Sequence, residues 1–107
     1  MITEYVLFDL PKSISRRQVV AGIREVAPKW RATPDLIRKT FVYDPDNGQA
    51  GAFYLWKNKA AARRAHDAAW RRRIREIYGS APVIRYFQTP LVVDGALQGN
   101  NRRGRVA

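Results

Sequence analysis

The chain of 107 residues has no cysteine, one histidine, one methionine and nine acidic residues against twenty basic ones. Without cysteine there are no disulfides, no thiolate nucleophile and no Cys-ligated zinc. With a single histidine, one chain cannot supply a two-His-one-carboxylate iron centre or a His-rich zinc site. No apolar run is long enough to cross a bilayer, and Met1-Ile2-Thr3-Glu4 lacks the basic start of a signal peptide, so a cytoplasmic setting without a membrane is expected.

What is present is ordinary for one folded unit: 46% apolar and 27% charged residues over the length of a single domain. A chain this short buries roughly two-thirds of its unfolded surface, so a deep cavity would consume much of its core. The net charge of +11 raises nucleic acid, anionic lipid or an acidic small molecule as partners. Its placement argues against the first. Between residues 57 and 78 eight basic residues face two acids, Asp67 and Glu76, and three more arginines lie in the last six residues. The bland reading of such a run is a solvated helix face.

Thr3 to Leu10 reads as a strand that is apolar on both parities and stops at Pro11. Ser15 and Gln18 form a capping-box pattern, and Val19, Val20, Ile23, Val26, Ala27 and Trp30 then recur at helical spacing, with Pro28 expected to distort the last turn. Leu36–Tyr43 and Gln49–Trp56 read as a hairpin around Asn47-Gly48. A tight turn there places Phe41 opposite Tyr54 and Lys39 opposite Trp56, and lengthening the turn by two residues keeps the same faces. One face then carries Ile37, Lys39, Phe41, Tyr43, Tyr54 and Trp56, and the other Thr40, Val42, Gly51, Phe53 and Leu55. The second, smaller set is expected beneath the helices. Asn58 to Tyr78 reads as one helix ended by Gly79, and Val83–Val93 as a last strand interrupted at Pro90. Residues 95–107 are Gly-rich, polar and basic, and read as a flexible tail after a domain over 1–94.

The order βαββαβ predicts an α+β ferredoxin-like sandwich whose second sheet face has no helix to cover it. With Phe41, Tyr43, Tyr54 and Trp56 assigned to that face, a cover is required. A second copy of the chain, sheet on sheet, would close a dimeric α/β barrel around an aromatic pocket; nucleic acid stacked on the aromatics is one alternative, and a dimer core that binds no ligand is another. Ala52-Phe53 and Trp56 match part of an RNA-recognition signature, but Gln49-Ala50-Gly51 lacks its Lys/Arg-Gly-aromatic opening, and the register turns Phe53 toward the helices.

Four segments carry a resemblance: Pro34-Asp35-Leu36-Ile37-Arg38-Lys39, Ala50-Gly51-Ala52-Phe53-Tyr54-Leu55-Trp56, Ala60-Ala61-Ala62, and Tyr78-Gly79-Ser80-Ala81-Pro82. Together, over residues 3–94, the sequence resembles the YdhR-like monooxygenases, a branch of the dimeric α/β-barrel superfamily that includes the antibiotic-biosynthesis monooxygenases. Asp35 and Ala52 stand where that family usually has glycine. The resemblance implies a homodimer joined through the open sheet face. It further implies cofactor-independent oxygenation, with neither metal nor cofactor, of an aromatic or polyketide-like small molecule in an aromatic-lined pocket. A non-catalytic dimeric small-molecule-binding domain is the alternative.

Lys39, set among aromatics, would have a lowered pKa and could hold an enolate or phenolate, or it could snorkel to solvent. Tyr54 could hydrogen-bond a substrate or line an interface. His66, the sole imidazole, is the default general base, with a structural role as its rival. Phe41, Tyr43 and Trp56 are candidate pocket walls. Arg85 is a candidate for an acidic substrate group and Asp9 a further candidate base, although the face each presents is not fixed by the sequence.

Overall fold

The computed structural model describes residues 1–96; most of the basic tail expected over 95–107 lies outside them. The elements run β1 (Ile2–Asp9), α1 (Arg16–Arg31), β2 (Leu36–Asp44), β3 (Gln49–Trp56), α2 (Lys59–Ala65), α3 (Ala68–Tyr78) and β4 (Val83–Gln88). All strand pairs are antiparallel in the order β2-β3-β1-β4, the ferredoxin-like arrangement. No described helix is long and apolar enough to cross a membrane.

The helix ends follow from local chemistry. Ser15 and Gln18 form the reciprocal capping box expected of α1. Pro28 sits inside α1, which continues to Arg31 and so carries Trp30 into the core. The single helix expected over 58–78 is two helices. Asp67 accepts a hydrogen bond from the Trp70 amide at 2.9 Å, an N-cap strong enough to restart the helix despite the alanines around it. The break leaves His66 outside both helical spirals, with φ −120° and ψ 56°.

The hairpin turn spans four residues, Pro45 to Gly48, so Lys39 faces Tyr54 and Phe41 faces Ala52. Partners therefore move by two while each residue keeps its face, apart from an irregularity between Leu36 and Arg38. Asp35 adopts φ 65°, the left-handed conformation that a glycine takes without strain. Gly51 needs its missing side chain for another reason: a Cβ there would lie 1.9 Å from the Val6 carbonyl oxygen.

The faces are inverted relative to expectation. Lys39, Phe41, Tyr54 and Trp56 point to the helices, while Phe53, on the opposite parity, is 44% exposed on the open face. Size complementarity explains the inversion. Ala61 and Ala62 of α2 bring that helix close enough for Trp56 and Tyr54 to fill the gap, while Ala50 and Ala52 make room for helix aromatics Trp30 and Trp70. β4 ends at Gln88, two residues before Pro90, instead of continuing to Val93.

Candidate functional site

Between the sheet and helices α1 and α3 lies a cavity of about 450 Å³, within the range of small-molecule sites. Its walls include Trp30 from α1, Trp70 from α3, Phe41 from β2, and Ala52 and Tyr54 from β3. Lys39 enters it from β2. Its Nζ lies 3.7 Å from the Trp30 ring centroid, 4.2 Å from that of Phe41 and 4.5 Å from that of Tyr54. Three aromatic faces thus surround one amine. No carboxylate lies within ion-pair distance of it among the described residues.

Burial pushes the Lys39 pKa down from 10.5 to about 7; the Lys29 ammonium at the cavity edge adds to the fall and Glu4 opposes it. At neutral pH the side chain therefore exists in comparable amounts as amine and ammonium. The Tyr54 hydroxyl moves the other way, raised by burial and then by the Glu4 carboxylate, so it stays protonated as a donor.

Behind the cavity wall is a second polar group. Glu4, from central strand β1, is fully buried and its Oε1 lies 2.7 Å from His66 Nδ1. The same oxygen accepts the Trp56 indole N–H at 3.0 Å. Against a Glu4 carboxylate, which only accepts, His66 Nδ1 is the donor of this hydrogen bond. His66 Nε2 and Glu4 Oε2 have no hydrogen-bond partner among the described residues. The imidazole is walled by Tyr54, Trp70 and Trp30, with centroid distances of 4.7, 4.3 and 5.7 Å. Tyr86, opposite Glu4 on β4, has its hydroxyl pushed up by burial and by that carboxylate.

The fold thus brings together Lys39, Tyr54 and Phe41 at the cavity. His66 is one ring behind it, on the Tyr54 side of the sheet instead of away from the aromatics. Trp56 is fully buried as a donor to Glu4, and Tyr43 shares the face but lies outside the cavity lining. Arg85 stands on the open sheet face, its guanidinium 4.9 Å from the Phe87 ring centroid, and Asp9 accepts a hydrogen bond from Gln49 at the far end of β1. Glu4 was missed by sequence reasoning, although a carboxylate amid a strand apolar on both parities was a usable sign. Among the described residues no cluster of three or more His, Cys, Asp and Glu is placed to hold a metal.

No protein-family model matches the sequence, and no curated protein matches it. Solved structures do match in shape. A protein of unknown function from Nitrosomonas europaea, NE2512, superposes with TM-score 0.69 at 12% identity, over 89% of this chain and 94% of that one. A monooxygenase from the ActVA-Orf6 gene of Streptomyces coelicolor, solved with nanaomycin D, gives 0.64 at 14%, over 89% and 92%. SnoaB, a cofactor-independent oxygenase from Streptomyces nogalater, gives 0.60 at 14%, over 88% and 97%. The class these define is an α+β ferredoxin-like fold. Within it, the chain has the fold of the antibiotic-biosynthesis-monooxygenase-like proteins, a likeness of architecture at these identities.

Proposed function

We propose that the protein is a cofactor-independent monooxygenase of the YdhR-like type, acting on an electron-rich aromatic or polyketide-like phenol in the cavity beneath α1 and α3. The observation that carries this reading is the Lys39 amine, held among three aromatic faces with no carboxylate partner among the described residues. Such an amine takes the phenol proton and, as ammonium, holds the resulting phenolate while the aromatic faces share its charge. The phenolate ring carbon then supplies electrons to dioxygen. A carbon-bound hydroperoxide forms and loses water, so one oxygen atom ends in the quinone and the other in water. The substrate is its own reductant. The Tyr54 hydroxyl is the donor available to a developing oxyanion on the same wall.

The test is oxygen uptake by the purified protein with a naphthol and no added metal or flavin, alongside quenching of Trp30 and Trp70 fluorescence. Uptake of one dioxygen per quinone formed supports the reading. Quenching without oxygen uptake assigns the cavity to a non-catalytic binding domain instead.

The open sheet face carries Tyr5, Leu7, Val42, Phe53, Leu55 and Phe87, with Tyr5 and Phe53 rings 4.9 Å apart. This apolar surface supports a homodimer packed sheet on sheet, the arrangement proposed from sequence with a different set of aromatics. Sedimentation should give a dimer, and Phe53→Glu a folded monomer. A wild-type monomer would overturn the dimer, and oligonucleotide binding that weakens steeply with salt would give the face to nucleic acid.

A further inference from the structure

We propose that Lys39 also captures an aromatic aldehyde or ketone in this cavity as a covalent imine, an activity independent of oxygen. Of the five lysines, Lys12, Lys29, Lys57 and Lys59 are exposed, and Lys39 alone is half-buried, its amine set among aromatic rings in a part-open cavity. Its Nζ lies over the faces of Trp30, Phe41 and Tyr54, which are the surfaces on which a flat aromatic carbonyl compound would stack. A carbonyl compound seated there meets the amine without having to cross the hydration shell of an exposed ammonium.

The chemistry balances within the pair. The amine nitrogen adds to the carbonyl carbon, giving a carbinolamine. The two nitrogen-bound protons and the carbonyl oxygen then leave as water, and the C=N bond forms. The neutral amine is the reactive form, and burial beside Lys29 keeps a large share of Lys39 in it at pH 7. The imine, once protonated, is an iminium over the same three rings, where cation–π attraction stabilises it. Lys29 at the cavity edge and the protonated Tyr54 hydroxyl are the proton donors available for loss of water.

The experiment is reductive trapping under nitrogen. The protein is incubated at pH 7 with naphthaldehyde and cyanoborohydride, which delivers hydride to the imine carbon and fixes a secondary amine, and the modified lysine is located by peptide mass mapping. The expected result is one adduct, on Lys39, formed at least about tenfold faster than on any exposed lysine, because Lys39 alone holds its amine in the cavity over three aromatic rings. Its rate should level off above about pH 7. Lys39→Arg, which keeps the cation but cannot form an imine, should lose the rapid adduct while its circular dichroism matches wild type. Label spread over the exposed lysines, or a rapid adduct that survives in Lys39→Arg, overturns the proposal. Because no oxygen is present, failure here is distinct from failure of the oxygenation assay.

Discussion

Lys39→Met should lower kcat for phenol oxidation about 10²–10⁴-fold, the range set by loss of a positioned base, while leaving the chain folded. Methionine fills a similar volume among Trp30, Phe41 and Tyr54 and brings no charge into their midst. In the wild type, kcat/KM should rise with pH and level off above about 7, since the amine must be unprotonated to accept the substrate proton. Lys29→Gln removes the like charge that helps depress Lys39, so it should move this inflection to higher pH without abolishing turnover.

The same shift has a signature in stability. The Lys39 pKa is about 7 when folded and 10.5 as a free side chain, so between these values the unfolded chain binds more protons. Stability from this group therefore rises with pH across that window, and the penalty of burying the ammonium is fully present below pH 7. Lys39→Met should flatten that slope and be the more stable protein at neutral pH, as read from urea midpoints. A variant that shows the flattened slope but full turnover would make Lys39 a buried cation with no part in the chemistry.

The order of elements was legible because each signal was local: the Ser15–Gln18 box, the Asn47-Gly48 turn and the alternation that ties Lys39, Phe41 and Tyr54 to one face. Which face the helices cover was not. Both parities of β1 and β3 are apolar, and the choice rested on whether small residues on the sheet or small residues on the helix make the close contact. Ala61 and Ala62 decide it from a helix whose inward stripe depends on the break at His66. That break in turn depends on Asp67 acting as a cap in the middle of an alanine-rich run, a competition between one side-chain hydrogen bond and helix propensity. Lys39 was singled out from its neighbours on one strand. Glu4 and His66 are 62 residues apart, and only the packed fold shows that each answers the other.

Their pairing leads to the other large effect. Glu4→Leu should cost about 3–5 kcal/mol, because it leaves His66 Nδ1 and the Trp56 indole N–H without an acceptor in a site closed to water. For a domain near 100 residues each kcal/mol corresponds to about 4–8 °C in Tm, so a loss of well over 10 °C is expected. His66→Leu removes one donor and leaves the buried carboxylate with the indole alone, a cost of the same order. The double variant, Glu4→Leu with His66→Leu, strands only the Trp56 N–H and gains apolar packing against Tyr54, Trp70 and Trp30. Its loss should fall well short of the sum of the two single losses, because the penalty belongs to a stranded partner more than to the absence of the pair. Additive losses in this cycle would mean that the two groups stabilise the fold separately. A small loss in Glu4→Leu alone would mean that water reaches the site and serves the orphaned donors.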